Sequence, residues 1–137
     1  MSPALQKNSV LVDTSVWIDF FSARLSQQNK ETLLALLESE NVVITDVIRH
    51  ELLVGASNER EYLQLSRILS VLTELNLNSP LMEDFHRFGF EMKNKKLLGK
   101  YTDLSIAFLA RTHRIPVFSF DQYFARLAKK KIISSFN

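Results

Sequence analysis

The 137-residue sequence contains no cysteine, which excludes a disulfide framework and a thiolate metal site. It also lacks any apolar run approaching the ~20 residues that a membrane-spanning helix needs. The first residues, M-S-P-A-L-Q-K-N-S, have no apolar core of the kind found in a signal peptide. We therefore expect a cytoplasmic protein that does not enter a membrane.

Several catalytic signatures are missing as well. The sequence has no G-x-S-x-G nucleophile elbow, no P-loop and no G-x-G-x-x-G dinucleotide motif. Its three histidines, His50, His86 and His113, are scattered without H-x-x-x-H spacing, which disfavours a zinc site. The remaining candidates for chemistry are carboxylates and lysines.

A strong excess of charge is also absent. The formal net charge is +2 and the isoelectric point is near 9.0, which neither requires nor excludes a nucleic-acid partner. The lysines nevertheless cluster in two runs: Lys93, Lys95, Lys96 and Lys100, and Lys129, Lys130 and Lys131. Each run alone is typical of a solvated face, and the first run is our candidate for contacts with RNA phosphates.

Short apolar runs without polar alternation are typical of strands buried on both faces of a parallel sheet. Such runs occupy Val10–Val12, Val42–Ile44 and Pro116–Phe120. Leu75–Asn78 and Ile132–Ser134 are weaker strand candidates, and helical spacing of apolar residues fills the segments between. With 46% apolar residues, the pattern predicts one α/β domain over residues 1–137, a three-layer α/β/α sandwich around a parallel sheet.

Two aspartates directly follow predicted strands. Asp13 comes after Val12 and Asp121 comes after Phe120, and the carboxyl ends of parallel strands meet at one edge of a sheet. Asp103 lies at a predicted helix start, where the helix dipole favours an anion. Capping of the next helix is the alternative explanation for Asp13, and dipole complementation alone is the alternative for Asp103.

Glu51 lies on a helix predicted to begin after Thr45. By its spacing it falls within the apolar stripe of that helix, formed by Val47, Ile48, Leu52 and Val54. An inward carboxylate is tolerated only if it is paired or bound to a cation. Arg49 projects from another side of the helix, so a functional role is favoured, and an ion pair with a distant arginine is the alternative.

Convergence of these acids would have a clear chemical consequence. Two unit charges ~4 Å apart repel by roughly 4 kcal/mol at an effective dielectric of about 20. Protons or a hard divalent cation must offset that repulsion, and all-oxygen ligation suits Mg²⁺ or Mn²⁺. Such ions activate water and stabilise charge on a phosphodiester, so the acids indicate phosphodiester hydrolysis.

Four segments resemble the PIN domain and, more closely, the VapC-type toxins of bacterial toxin–antitoxin pairs. They read V-L-V-D-T-S-V-W-I, T-D-V-I-R-H-E-L-L-V-G, Y-T-D-L-S-I-A-F-L-A and V-F-S-F-D-Q-Y-F, in the family's order and spacing. The resemblance covers essentially the whole length. It implies a Mg²⁺- or Mn²⁺-dependent endoribonuclease that cuts structured RNA such as tRNA or ribosomal RNA. It also implies a parallel sheet of about five strands with the acids at its C-terminal edge.

Carried over by position, the resemblance implies that Asp13, Glu51 and Asp103 are the central catalytic, metal-coordinating acids. Asp121 resembles the fourth, more variable acid. Thr14 matches a supporting polar residue.

Departures from the family pattern surround the fourth acid. Ser119 matches a small hydroxyl position that is often Thr in the family. Gln122 and Tyr123 replace the charged residues usual before Phe124. These differences leave the central acids intact.

The resemblance further implies partners, namely a small VapB-type antitoxin whose C-terminal segment covers the site, and a second copy in a homodimer. Trp17, Phe20 and Phe21 are candidates for the receiving groove, because their helix is more apolar than one buried face requires. Core packing is the alternative use for at least two of them. Two other functions stay open: a non-catalytic RNA- or protein-binding module on this fold, and a DNA-directed metal nuclease or phosphatase.

Overall fold

Short apolar runs form the parallel sheet at the centre of the molecule. The structure is a computed structural model that describes Leu5 and residues 7–137. Its strands are β1 (Val10–Val12), β2 (Val42–Thr45), β3 (Thr73–Leu75) and β4 (Val117–Phe118). Its helices are α1 (Thr14–Phe21), α2 (Gln27–Glu38), α3 (Asp46–Val54), α4 (Glu59–Ser70), α5 (Ser79–Asn94), α6 (Tyr101–His113) and α7 (Gln122–Lys129).

The strands are ordered β3-β2-β1-β4, and every pairing is parallel. In the central pairings Val10 lies opposite Val42, and Leu11 lies opposite Val117. All of β1 and β2 is buried, which explains why neither strand shows polar alternation. The predicted α/β sandwich with a parallel sheet is confirmed.

Side chains at the carboxyl ends of the strands cap the following helices. Asp13 accepts a hydrogen bond from a backbone N–H of α1, Thr45 does so for α3, and Asp121 for α7. The strand ends and helix starts therefore meet at one edge of the sheet. This edge carries the predicted site.

The sheet differs from the prediction at its margins. In the described residues it has four strands, and the predicted strand Ile132–Ser134 is wrong. The segment meets β4 through two backbone hydrogen bonds at one residue, from the Val117 N–H to the Ser134 carbonyl and from the Phe136 N–H to the Val117 carbonyl, and this makes a bridge and not a ladder over 132–134. Only an isolated parallel bridge between Val117 and Ser135 extends the sheet on this side.

Two strands have other bounds than predicted. The edge strand is Thr73–Leu75 instead of Leu75–Asn78. The strand predicted at Pro116–Phe120 is limited to Val117–Phe118; after it, the Ser119 backbone N–H faces the side chain of Asn137 and the Ser119 hydroxyl donates to the carboxylate of Asp13. Because β4 pairs with β1, its end lies beside Asp13 and contributes a hydroxyl to the candidate site.

Trp17 belongs to the core and not to a surface groove. Its side chain is fully buried, and its Nε1 donates a 3.0 Å hydrogen bond to the carbonyl of Val12. The assignment of Trp17 to the antitoxin groove is therefore wrong. Phe20 is half-buried against the core and Phe21 is exposed at its rim. Separately, no helix in the described part of the chain is long and apolar enough to cross a bilayer.

The indole of Trp17 gives a test of this packing. We expect Trp17→Phe to lower the free energy of unfolding by about 2 kcal/mol, because it leaves a cavity and an unpaired Val12 carbonyl. Urea unfolding followed by circular dichroism measures the change. The exposed Tyr62 supplies a control, since Tyr62→Phe should change stability by less than about 0.5 kcal/mol. Equal stability of the Trp17 variant and wild type would contradict the assignment.

Candidate active site

Asp13 forms the buried floor of the site. Only 4% of this residue is exposed, and its Oδ2 accepts hydrogen bonds from two hydroxyls. Ser15 donates at 2.9 Å from α1, and Ser119 donates at 2.8 Å from the end of β4. A buried carboxylate needs such partners, and with Oδ2 occupied on the protein side the carboxylate is held in one orientation.

The same two hydroxyls fix the chain that leads to Asp121. The Ser15 hydroxyl accepts a hydrogen bond from the backbone N–H of Phe120 at 3.0 Å, and the Ser119 hydroxyl accepts one from Asp121 at 3.0 Å. Asp121 itself caps α7 through a 2.9 Å bond from the backbone N–H of Tyr123. Asp121 is exposed, so it lies at the rim of the site above the buried Asp13.

Glu51 also lies at the rim, which corrects one argument from the sequence. On α3, Ile48 and Leu52 are buried, but Glu51 is exposed and Val54 is 70% exposed. The inward stripe is therefore narrower than its spacing predicted, and Glu51 lies outside it. Glu51 is nonetheless tied to the site, because the Thr14 hydroxyl donates to its Oε1 at 2.8 Å.

Arg49 does not pair with Glu51. Its guanidinium lies 3.9 Å from the carboxylate of Glu74 on β3. Within the described residues no arginine lies within 4.0 Å of the Glu51 carboxylate, so the ion pair with a distant arginine considered from the sequence is not formed.

Asp103 lies in the first turn of α6, and the charges of the other three acids act on its carboxylate. Its pKa is raised from 3.8 to about 6, first by desolvation and then by the charges of Asp121, Asp13 and Glu51, while Lys100 opposes the shift. Together with Asp103 itself, the four acids lie on four different segments of the chain. The fold thus brings the four predicted acids within electrostatic reach of one another.

The donor set can be compared with the needs of a divalent cation. Carboxylate oxygens are the ligands that Mg²⁺ and Mn²⁺ prefer, and the mutual repulsion at Asp103 is what such a cation would relieve. Over Leu5 and residues 7–137, however, no three His, Asp or Glu side chains are grouped closely enough to hold a metal ion. The chemistry of the donors fits, and binding would require the carboxylates to draw closer than they lie here.

The predicted phosphate-binding lysines separate into different roles. Lys95 lies 3.7 Å from the carboxylate of Glu91, and Lys93 and Lys96 are exposed with no contact to the acids. Lys100 is the one whose charge acts on Asp103.

Tyr123, noted in the sequence only as a departure, connects the site to the segment before α6. Its hydroxyl donates to the carbonyl of Leu97 at 2.9 Å, and Arg126 lies over its ring. Burial and the charge of Asp103 raise the pKa of the Tyr123 hydroxyl, and Arg126 opposes this shift.

Asn137 is a second contributor that the sequence did not reveal. Its side-chain amide donates to the carbonyl of Ser119 at 2.9 Å, behind the hydroxyl that holds Asp13. Sequence spacing gives no signal for a contact across 18 residues. Ser15, by contrast, could have been inferred, since it lies two residues after Asp13 in the D-T-S run.

The comparisons with known proteins concern the family and the fold. A family model described as PIN domain matches residues 10–130, and no curated protein matches the sequence. The chain is similar to a toxin–antitoxin complex from Klebsiella pneumoniae, with a TM-score of 0.70, 22% identity and coverage of 93% of this chain and 97% of that chain. It is also similar to FitAcB from Neisseria gonorrhoeae, with a TM-score of 0.67, 23% identity and coverage of 93% and 96%. The chain is similar as well to VapBC2 from Rickettsia felis bound to a promoter DNA fragment, with a TM-score of 0.67, 17% identity and coverage of 85% of this chain and 91% of that chain.

The raised pKa of Asp103 makes stability depend on pH. In the folded protein Asp103 binds its proton up to about pH 6, whereas an unfolded chain releases it near 3.8, so stability falls as pH rises through this window. We expect Asp103→Asn to stabilise the metal-free protein above pH 6 by about 1 kcal/mol, a value reduced for solvent screening. Below about pH 4 the two proteins should unfold alike.

Thermal unfolding in EDTA at several pH values measures this difference. Asp84→Asn, at an exposed position on α5, is the matched control and should lack the pH-dependent gain. A variant less stable than wild type above pH 6 would show that the acids do not repel one another in the folded protein.

Proposed function

Because the chain belongs to the PIN domain family, we propose that it is a metal-dependent endoribonuclease and the toxin of a type II toxin–antitoxin pair. The observation that carries this proposal is the set of hydrogen bonds that ties three acids to one edge of the sheet: Ser119 bonds to Asp13 and to the backbone of Asp121, and Thr14, next to Asp13, bonds to Glu51. The charges of these three acids act on Asp103. The solved structures with the same fold include complexes described as toxin–antitoxin or VapBC assemblies, which supports the biological role.

In this proposal Asp13, Glu51 and Asp103 hold Mg²⁺ or Mn²⁺, with Asp121 as a fourth acid. When bound, the cation supplies an activated water and stabilises charge on the phosphodiester. Ser15 and Ser119 keep the Asp13 carboxylate oriented, and Thr14 does the same for Glu51. Asp13, Asp103 and Asp121 lie at strand ends and helix starts, and binding of the cation would draw the carboxylates closer together.

Loss of one central acid should abolish most of the cleavage. We expect RNA cleavage in Mg²⁺ or Mn²⁺ that disappears in EDTA, and a fall in kcat/KM of about 100-fold or more for Asp13→Asn or Asp103→Asn. Asp84→Asn, the exposed α5 control, should cleave as wild type does. Gel assays of tRNA and ribosomal RNA measure the rates.

Parallel substrates separate the alternative functions. Faster cleavage of single-stranded DNA or of a generic phosphoester would favour a DNA-directed nuclease or a phosphatase. Metal-independent RNA binding without cleavage would favour a non-catalytic module. Full cleavage by Asp13→Asn would rule out the proposed mechanism.

An antitoxin-binding surface is the second part of the proposal. Phe21 of α1 and Ile68 of α4 line a groove of about 370 Å³, together with Asn58, Arg60, Glu61, Gln64 and Leu65. Ile68 also lines an adjacent groove of about 500 Å³ with Val71, which is 83% exposed. The two grooves share Ile68, and their mixture of apolar and polar side chains suits an amphipathic segment of a VapB-type antitoxin. Of the aromatic residues predicted from the sequence, Phe21 lines the groove, and Phe20 packs against Phe21 with their ring centroids 5.4 Å apart.

Charge placed in this groove should disrupt the complex. We expect Phe21→Asp to weaken binding of a VapB-type antitoxin by about tenfold or more, because a central apolar anchor is lost. The probe is the product of the short reading frame beside this gene, titrated by calorimetry. Phe90→Asp, which alters an exposed phenylalanine on α5, is the control. Equal weakening by both variants would argue against this groove; light scattering of the free protein tests the predicted homodimer.

A further inference from the structure

Tyr123 joins three segments next to the candidate site. Its hydroxyl holds the carbonyl of Leu97 at 2.9 Å, and a Cβ added to Gly99 would lie only 2.6 Å from its Cζ. The guanidinium carbon of Arg126 lies 5.6 Å from the ring centre. The connection between α5 and α6 is therefore packed against α7 through one buried aromatic ring.

Two cations lie next to these contacts of Tyr123, one in the chain before α6 and one on α7. Lys100 directly follows Gly99, and Arg126 comes three residues after Tyr123 on the same side of α7. A helical side chain reaches back over the preceding turn, so Arg126 extends toward the start of α7, where Asp121 lies. Both cations thus belong to the edge that carries the acids.

Neither cation is already neutralised. Arg49, Lys95 and Arg111 each lie within 4.0 Å of a carboxylate. Within the described residues, Lys100 and Arg126 have no such partner, and both are exposed. Their hydrogen-bond donors are available to an anion.

A polyanionic substrate needs such cations beside an acidic site, because its phosphates are otherwise repelled by the carboxylates. We propose that Lys100 and Arg126 bind backbone phosphates of RNA on the α6–α7 side of the acids, and that Tyr123 is the positioning residue that sets their separation. This inference rests on the proposed ribonuclease function. The guanidinium of Arg126 suits bidentate contact with a phosphate, and Lys100 adds a point charge.

The simpler explanation is that Arg126 only stacks on an aromatic ring, as arginines often do, and that Lys100 is a solvated lysine. Salt dependence separates the two. Each phosphate contact made by a cation contributes about 0.7 to 0.9 to the slope of log affinity against log salt concentration. A stacking arginine or a solvated lysine contributes nothing to that slope.

The experiment uses the full chain in EDTA, so that RNA is bound without being cut. Fluorescence anisotropy with a fluorescein-labelled RNA stem–loop is recorded over a series of salt concentrations. We expect Arg126→Gln and Lys100→Gln each to reduce the slope by about 0.7 to 0.9. Lys130→Gln is the matched control, because it removes the same charge at the far end of α7 and should leave the slope unchanged.

Tyr123→Phe tests the positioning role separately. It keeps the ring under Arg126 and removes the hydroxyl's hydrogen bonds to the backbone of Leu97 and Gly99, so we expect roughly two- to fivefold weaker binding with the salt slope retained. Tyr62→Phe, at an exposed position on α4, should bind as wild type does. Circular dichroism verifies that each variant is folded.

The outcomes distinguish this inference from the proposed function. If wild type cleaves RNA but the Arg126 and Lys100 variants keep its slope, the inference is overturned and the ribonuclease function stands. If Lys130→Gln reduces the slope equally, the contact is a diffuse field and the inference is again overturned. If Tyr123→Phe binds as tightly as wild type, the positioning role falls. Wild type that neither binds nor cleaves any RNA removes the proposed function itself.

Discussion

The burial of the Asp13 carboxylate is the constraint on which the rest of the site depends. A charge with 4% exposure is tolerated only if hydrogen bonds replace the water it loses, and Ser15 and Ser119 supply them. Ser119 reaches Asp13 because it directly follows β4, the strand that pairs with β1. The same hydroxyl then receives the backbone N–H of Asp121, so one solvation requirement positions a second acid.

Four carboxylates at one edge of the sheet also lower the stability of the fold, because like charges repel. Burial and repulsion together raise the pKa of Asp103, so the ionised form of this acid is less favourable in the folded protein than in the unfolded chain. The cost is limited because Glu51 and Asp121 remain exposed at the rim and are screened by water. Of the four acids only Asp13 is buried, and it accepts hydrogen bonds from two hydroxyls. Perturbed carboxylates of this kind are common at functional sites.

The sequence allowed the fold class and the meeting of Asp13 and Asp121 at one edge of the sheet to be predicted, because both rest on local patterns. Apolar runs mark buried strands, and an acid at a strand-to-helix junction is read from two adjacent segments. What could not be predicted depends on how the elements pack in three dimensions. Whether Trp17 faces the core or a groove depends on which side of α1 packs against the sheet, where its indole bonds to the Val12 carbonyl. The buried stripe of α3 is narrower than predicted for a related reason. Periodicity shows which face of a helix is apolar, but how much of that face is buried depends on the elements that pack against it.

Tyr123 departs from the family pattern and has a structural role at its position, because it holds the loop before α6. The PIN fold, with this edge of the sheet as its site, needs cations near the acids if it is to receive a phosphate backbone. A charged residue at position 123 would serve that need directly but would leave the loop before α6 unanchored. Here a buried aromatic holds the loop through Leu97 and Gly99, and Arg126 carries the charge one turn later. Tyr123 therefore anchors the loop, and Arg126 supplies the charge. Because the ring contacts both Gly99 and Arg126, it links the placement of Lys100 to that of Arg126.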